Sequence, residues 1–435
     1  MAQIEGFRGI RYSLTQGTDI SPYLAPPYDT IMTDQAKNRL LEHSPHNIVA
    51  IDLPYLPPKQ AGPEHLYRQA GERLREWLEQ DVLTREIEPA IYLYRQSFTY
   101  GGKNYIRRGF IGRLRLEELG KGSVLPHEQT YSGPKEDRLL LTRHSQAYIS
   151  QVFCLYEDSD NEIADVLFTK AQSNPTYWGV LDGVKNEVWV ITERSARHWL
   201  ASKMAPKPVF IADGHHRYST ALNYRNLLAQ QAQLHQNHPA NYVSAMFVSM
   251  SEPGLLVLPT HRVVMNLKPF TLAELAEALK DQFHPRWVSK QDDPQHLEQA
   301  VVTTGDQSFA FVKPDEDRAL VVWPQDGEHL LDHMRDKYTL AWRTLPVAIL
   351  HNFIFEKVVY PKWLDGDQPQ IEYFHRADET VEFVNGHPNA LGAIVPPTPV
   401  ESVRKVCSDK MLMPQKSTYF YPKLATGLIV YPMFD

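Results

Sequence analysis

An abrupt change of pattern at Asp213 constrains the fold more than any other feature of this sequence. The stretch KPVFIADGHHRYSTALNYRNLL covers residues 207–228, and its apolar run ends in the polar group Asp-Gly-His-His-Arg at 213–217. A helix-like spacing follows at once, with Tyr218, Ala221 and Leu222 on one stripe. The pattern therefore predicts a strand that feeds through a tight turn directly into a helix.

The rest of the chain mixes strand and helix signals without a regular alternation. Residues 64–80 carry an amphipathic helical stripe, and residues 91–115 read as a hairpin around Gly101-Gly102. The apolar segment NIVAIDLP, at 47–54, is typical of a buried strand. This order predicts an α+β (mixed α/β) fold of mixed sheets, hairpins and packed helices.

Changes in the pattern of helix and strand signals along the chain predict three domains. They are a main α+β domain at 1–265 that carries the motif loops, a small α/β subdomain or insertion at 266–327, and a C-terminal segment at 328–435 that packs back on the main domain. A chain of 435 residues is long enough for two or three domains.

Composition narrows the class of protein. The net charge is −7 and no basic run is present, so nucleic acid is an unlikely partner. Cys154 and Cys407 lie far apart and are expected to be core residues. No segment approaches the roughly 18 apolar residues of a membrane span, and the N-terminus lacks the apolar core of a signal peptide. We therefore expect a cytoplasmic protein with no membrane partner, whose oligomeric state the sequence does not indicate.

The polar group at the predicted turn has the chemistry of an anion site. The first N–H groups of a helix have no partner inside it, and the helix dipole favours negative charge there. Gly214 allows close backbone approach, Arg217 can clamp a phosphate with two hydrogen bonds, and His215 and His216 add donors. Asp213 is a candidate base, metal ligand or helix cap, and a simple capped helix start is the competing interpretation.

A second motif, PHEQTYSGPKEDR at 126–138, combines acidic and basic groups in a loop bounded by proline and glycine. His127 and Glu128 are candidate acid–base residues, while Lys135 and Arg138 are candidate phosphate-binding cations. Phosphoryl transfer needs such charge neutralisation together with a positioned base. The alternative is a charged loop whose acidic residues favour the start of a helix.

A third motif, MPQKSTYFYPK at 413–423, offers Lys416 and Ser417 as further phosphate ligands. Its aromatic residues are better explained by core packing. The chain contains no HExxH, no GxxxxGK[ST], no GxGxxG after a strand and no GxSxG elbow, so the common zinc, nucleotide and nucleophile motifs do not account for these residues.

Together, the PHEQT, GPKEDR, FIADGHHRYSTAL, LPTHR and MPQKSTYFYPK segments resemble a bacterial and archaeal family of proteins of unknown function. The segment ADGHHRYSTA also resembles, more distantly, the nucleotide-binding motif of the superfamily of partition proteins, sulfiredoxins and free-serine kinases. That resemblance implies phosphate binding at Gly214, His215, His216 and Arg217. Sulfiredoxins have a reactive cysteine where this motif has histidine, and partition proteins have a DNA-binding helix-turn-helix, so the kinase branch fits best.

These observations predict an enzyme of the phosphotransferase type that acts on a small phosphorylated or hydroxylated metabolite. Glu128 or Asp213 would act as the base, and a nucleotide (ATP or ADP) with Mg²⁺ would be the cofactor. The alternatives are a metal-dependent phosphate-ester hydrolase with Asp213 and the histidines of the motif as ligands, and a nucleotide-binding sensor without catalysis.

Overall fold

The computed structural model describes residues 2–128, 133–171, 174–290, 294–366 and 368–434. It confirms the predicted mixed α+β fold. Within these residues the strands are β1 (Ile4–Glu5), β2 (Ile10–Tyr12), β3 (Thr18–Asp19), β4 (Leu83–Arg85), β5 (Ile91–Tyr100), β6 (Lys103–Arg115), β7 (Val124–Pro126), β8 (Ala147–Tyr148), β9 (Val152–Tyr156), β10 (Tyr177–Leu181), β11 (Val184–Ile191), β12 (Val209–Asp213), β13 (Tyr242–Ser249), β14 (Leu256–Leu258), β15 (His261–Met265), β16 (Phe283–Ser289), β17 (Phe309–Val312), β18 (Arg318–Pro324), β19 (Gln370–Phe374), β20 (Leu391–Ile394), β21 (Tyr419–Tyr421) and β22 (Tyr431–Pro432).

Helices connect most of these strands, and a π-helix at Leu350–Val359 follows the short helix Pro346–Ile349 directly. The α-helices are α1 (Asp34–His43), α2 (Val49–Asp52), α3 (Glu64–Glu79), α4 (Gly133–Ser145), α5 (Glu162–Phe168), α6 (Arg194–Met204), α7 (His215–Gln231), α8 (Leu272–Leu279), α9 (Pro294–Thr304), α10 (Leu340–Arg343), α11 (Pro346–Ile349), α12 (Tyr360–Trp363), α13 (Ala377–Asn385) and α14 (Val400–Ser408). Among the described helices, none has the length and apolar character needed to cross a bilayer.

The first of two compact units contains residues 1–256 and 422–435. Its main sheet has the order β3-β10-β11-β5-β6-β13-β9-β12-β7, with β1 paired to β6. The predicted hairpin is present as β5 and β6, and Gly101 and Gly102 have φ values of 54° and 74° at its turn. At the far edge β7 runs parallel to β12, so the carboxyl ends of these two strands lie side by side.

The second unit, residues 257–421, is built on an antiparallel sheet of order β16-β18-β17-β20-β15-β19. Residues 266–327 supply β16, β17 and β18 of this sheet. Apolar residues of its strands pack against α9 and α13, with Val263, Val321 and Val381 in one buried cluster. The three-domain division expected from the sequence stays a prediction.

The buried segment at 47–54 corrects a sequence prediction, because it contains helix α2 and not a strand. All four residues from Val49 to Asp52 are buried, which explains the continuous apolar pattern. An apolar run this short does not distinguish a buried strand from a buried helix. The Asn47 side chain fixes the helical start, since its Oδ1 accepts from the Val49 N–H at 3.0 Å while its Nδ2 donates to Leu24 O at 2.7 Å.

Gly71 sets how closely helix α3 approaches the end of α4. A Cβ added there would lie 2.4 Å from the carbonyl oxygen of His144, which is backbone and cannot rotate away. We expect Gly71→Ala to lower the free energy of unfolding by about 1–3 kcal/mol, the usual cost of overpacking. Urea unfolding measures this, with Glu72→Ala at the neighbouring exposed position as control. A Gly71→Ala protein as stable as the control would contradict this packing.

Candidate functional site

Two of the three sequence motifs meet at the edge of the main sheet in the first unit. Strand β7 pairs with β12 in parallel, with Leu125 opposite Phe210 and Pro126 opposite Ile211. His127 and Glu128 therefore follow one strand, and Asp213 and Gly214 end the other, at the same edge. The carboxyl ends of parallel strands are the usual location of binding residues in sheets of this kind.

Helix α7 begins at this edge with a glycine in the left-handed region. Gly214 is the N-cap, with φ of +87°, and as a glycine it has no side chain with which to cap the helix. The simple helix start stays the competing interpretation. A Cβ at residue 214 would lie 3.0–3.2 Å from the Arg217 guanidinium, which folds back over the turn. The positive φ favours glycine here, and a side chain at residue 214 would also press on the Arg217 guanidinium.

Asp213, Arg217 and Lys423 form a charged cluster at the turn. The Asp213 carboxylate contacts Arg217 Nη2 at 3.0 Å and Lys423 Nζ at 3.2 Å. Arg217 Nη1 donates to the carbonyl oxygen of Gln151 at 2.5 Å. Burial alone would raise the pKa of Asp213, but Lys423 and Arg217 lower it well below the ordinary value for an aspartate. The cluster contains two cations and one carboxylate and so has a net positive charge.

His215 links the two strand ends, a role that the sequence did not predict. Its Nε2 accepts from the N–H groups of His127 at 3.2 Å and Glu128 at 3.4 Å, so the ring proton lies on Nδ1. His127 Nδ1 in turn contacts the carbonyl oxygen of Ile211 at 2.7 Å. Both histidines are almost fully buried. His215, predicted to bind phosphate, holds Glu128 beside the turn in this structure.

His216 is half-buried. Burial lowers its pKa, and the positive charges of Lys135 and Lys59 lower it further, while Asp29 acts in the opposite direction. The role of Lys135 as a phosphate ligand stays a prediction, and Lys59 is an additional cation that the sequence motifs did not include. Lys59 also pairs with Asp29 at 3.1 Å.

Arg138 is buried behind the turn. Its Nε donates to Asp137 at 2.7 Å and its Nη1 to Asp52 Oδ1 at 3.0 Å. The guanidinium also lies 3.8 Å from the centre of the Tyr28 ring. Burial opposes the charge, but Asp137 and Asp52 raise the pKa of Arg138 above its usual value. The predicted phosphate ligand is thus held mainly by carboxylates of the protein.

Lys416 and Ser417 belong to the second unit, and their predicted role as phosphate ligands remains a prediction. The Lys416 carbonyl accepts from Arg262 Nη2 at 2.7 Å. Ser417 is buried, its hydroxyl donates to Pro414 O, and its carbonyl accepts from Thr398 at 2.6 Å. Thr130, in the second motif, lies outside the described residues.

Lys423 ends the third motif and contacts the candidate site, although it is not among the site residues predicted from the sequence. Two buried side chains of the main sheet hold its backbone in place. Arg107 Nη2 donates to Pro422 O at 2.6 Å, and Gln96 Nε2 donates to Lys423 O at 3.2 Å. Burial lowers the pKa of Arg107 to about 10. The motif could have identified Lys423, because this basic residue directly follows a run of aromatic residues that pack in the core.

His215 is expected to make stability depend on pH. Burial lowers its pKa well below the ordinary value, and the nearby His127 lowers it further. Below about pH 6.5 the unfolded chain therefore binds a proton that the folded chain does not, and stability falls on acidification. His215→Gln can still accept from the two N–H groups, and we expect it to lose about 1.4 kcal/mol less than the parent between pH 7.5 and 5.5.

Urea unfolding at the two pH values tests this expectation, with His65→Gln as the control for replacing an exposed histidine. His216, His261 and His351 also have lowered pKa values, so the parent retains other contributions of the same sign. The difference between the stability losses of the parent and of His215→Gln gives the contribution of His215 alone. Identical losses in both proteins would contradict a buried neutral His215.

Metal ligation finds little support in this geometry. In the part of the chain that the structure describes, no group of three or more His, Cys, Asp or Glu side chains is placed to hold a metal ion. Both oxygens of Asp213 already contact cations. A divalent ion at Asp213 would lie beside the positive charges of Lys423 and Arg217, which disfavours it there.

The fold and the site define an α+β protein with a charged strand–helix junction. The chain belongs to the family described as "Protein of unknown function (DUF1015)", whose model matches residues 4–348. No curated protein matches the chain.

Several solved structures are similar over much of their length. A free serine kinase mutant in complex with AMP has 12% identity and a TM-score of 0.31, covering 68% of this chain and 84% of the kinase. SbnI from Staphylococcus aureus has 9% identity and a TM-score of 0.30, covering 70% and 82%. A conserved hypothetical protein from Pyrococcus furiosus has 13% identity and a TM-score of 0.28, covering 69% and 89%. At such low TM-scores these likenesses carry no functional argument.

Proposed function

We propose that this chain is a small-molecule phosphotransferase that binds nucleotide phosphates at the start of α7. One observation supports the proposal: the motif residues at 127–128 and 213–217 and the amine of Lys423 lie together at the start of helix α7. Oriented backbone N–H groups and the helix dipole make such a helix start favourable for phosphate.

The charges around the turn support an anionic ligand. Arg217 and Lys423 share the single carboxylate of Asp213. The positive charges of Lys135 and Lys59 lower the pKa of His216. A phosphate bound here would take hydrogen bonds from Arg217 and Lys423 while Asp213 keeps both cations oriented. The predicted phosphate-binding residues Gly214 and His216 would contribute the turn and a side-chain donor.

Glu128 is the better candidate for the base that accepts the hydroxyl proton. Asp213 has a pKa far below its ordinary value, so it has little tendency to accept a proton near neutral pH. Glu128 is half-buried and follows β7 directly beside the turn, with its backbone held by His215. The neighbouring His127 holds this loop against β12, because its Nδ1 contacts the carbonyl oxygen of Ile211.

Magnesium would enter as part of the nucleotide complex and not as a resident ion. Mg²⁺ in phosphate-transfer sites commonly keeps several waters and is held by phosphates with only one or two carboxylates. Both Asp213 oxygens contact cations, so Asp213 would serve mainly to orient Lys423 and Arg217.

A turnover assay tests the proposal. The purified chain is incubated with ATP or ADP, Mg²⁺ and a panel of small hydroxylated metabolites that includes serine, and phosphorus NMR follows every phosphate species. The proposal predicts that one acceptor gains a phosphate as the nucleotide loses one. Phosphate released from esters without any nucleotide would favour the hydrolase, and tight nucleotide binding with no transfer would favour a sensor. Either result would contradict the phosphotransferase.

A further inference from the structure

A cavity of about 420 Å³ lies within the second unit, and the proposed function makes no use of it. This volume is within the range of about 300–1,000 Å³ that is usual for small-molecule sites. Its lining comes from the end of β18, the loop between α9 and β17, the start of α11 and the start of α14. The lining residues include Trp323, Asp306, Gln307, Pro346, Pro399 and Ser402.

Local contacts hold the backbone around the cavity. Gln307 Nε2 donates to Thr344 O at 2.9 Å, which ties the loop after α9 to the segment before α11. Pro346 is the first residue of α11 and Pro399 is the N-cap of α14, so a proline ring fixes φ at both helix starts. Walls that are already ordered reduce the entropic cost of binding a ligand.

Two polar side chains of the lining are available to a ligand. Asp306 is exposed and Ser402 is half-buried, and neither side chain has a hydrogen-bond partner among the described residues. The hydroxyl of Thr304, by contrast, already donates to Ala300 O at 2.6 Å. The cavity therefore offers a carboxylate that only accepts hydrogen bonds and a hydroxyl that both donates and accepts.

Trp323 adds an aromatic surface to these polar groups. It is half-buried, and the Arg286 guanidinium lies 6.0 Å from the centre of its ring. That cation is already engaged, because Arg286 Nη2 donates to Thr304 Oγ1 at 2.7 Å. The described lining residues include no lysine or arginine, so an anionic ligand would find no cation among them. A neutral ligand with both hydroxyl and apolar C–H groups matches this set.

We propose that this cavity binds a neutral sugar ring. The C–H face of the sugar packs on Trp323, since polarised C–H groups are attracted to the negative face of an aromatic ring. Adjacent sugar hydroxyls donate to the Asp306 carboxylate, and another bonds the Ser402 hydroxyl. The rings of Pro346 and Pro399 border the rest of the apolar surface of the sugar. This proposal does not depend on the phosphotransferase activity.

Saturation-transfer NMR of the full chain with the methyl glycosides of glucose, galactose and mannose tests the proposal. At least one of them should receive saturation at its ring C–H protons. Trp323→Ala is expected to weaken binding of the best glycoside about threefold to tenfold. Trp287→Ala is the matched control, since Trp287 is a half-buried tryptophan of the neighbouring strand β16, opposite Leu320. It should bind as the parent does.

The charge of Asp306 provides a second, independent readout. Asp306→Ala should weaken binding of the same glycoside about tenfold or more, because hydrogen bonds to charged groups are strong. Asp315→Ala, which removes an exposed carboxylate from another loop of the same unit, should leave binding unchanged. Glucuronate should bind the parent less tightly than the neutral glycoside because Asp306 repels its carboxylate, and Asp306→Ala should remove that difference.

Three outcomes would overturn the sugar site. They are no saturation transfer to any of the three glycosides, parental binding in both Trp323→Ala and Asp306→Ala, and tighter binding of choline than of every glycoside, which would assign the cavity to cations. Each leaves the proposed function standing, because nucleotide binding is measured separately on the same preparation.

Discussion

Glu128→Gln is expected to lower the turnover number about 10²- to 10⁴-fold while leaving nucleotide affinity close to that of the parent. A general base accepts the proton from the attacking hydroxyl in the transition state, and its removal usually lowers the rate by this amount. Glutamine keeps the size of the side chain and the backbone N–H that donates to His215, but it cannot take the proton. The loss should therefore appear in turnover and not in binding.

Steady-state kinetics and a nucleotide titration on the same preparation separate the two effects. Glu136→Gln is the matched control, since Glu136 is an exposed carboxylate of the same motif in the first turn of α4. It should retain parental turnover. A Glu128→Gln enzyme with parental turnover would remove Glu128 from the mechanism, and equal loss in the control would show that only the charge of the loop matters.

Arg217→Ala is expected to weaken nucleotide binding about 10- to 100-fold. Charge-assisted hydrogen bonds from a guanidinium to phosphate contribute about 1.5–3 kcal/mol. The same change removes the Asp213 contact at 3.0 Å and leaves Lys423 as the remaining cation of the cluster. Arg217→Lys retains the charge but loses the planar fork, so its affinity should lie between those of the alanine variant and the parent.

Arg225→Ala is the control for this series, because Arg225 lies further along the same helix and donates to Leu116 O at 2.9 Å. It should bind nucleotide as the parent does. Urea unfolding of each variant shows whether a loss of binding reflects loss of fold. A folded Arg217→Ala protein with parental affinity would contradict a phosphate site at this turn.

Local patterns in the sequence predicted much of the secondary structure. Strong periodicity predicted helix α3 and the β5–β6 hairpin, and the change of pattern at Asp213 predicted the β12–α7 junction. The error at 47–54 arose because a short buried helix and a buried strand have the same apolar composition, and the Asn47 side-chain bonds that select the helix depend on residues near position 24.

The candidate site was only partly predictable for a related reason. Local sequence identified Asp213, Gly214 and Arg217, but the contact between Asp213 and Lys423 joins residues 210 positions apart and requires the complete fold. The ion pair between Arg138 and Asp52, across 86 positions, likewise requires the complete fold, and the role of Arg138 as a phosphate ligand stays a prediction. Charged residue types reveal what chemistry is available, and tertiary packing decides which charges remain for a ligand.

The measurement that tests the central claim most directly is a thermal-shift titration of the full chain with ATP, ADP, AMP, CTP, GTP and phosphoserine, each with and without Mg²⁺. A ligand that binds only the folded state must raise the melting temperature. The proposed site predicts a rise with at least one nucleotide that is lost in Arg217→Ala and retained in Arg225→Ala. No rise with any nucleotide, or the same rise in Arg217→Ala as in the parent, would contradict it.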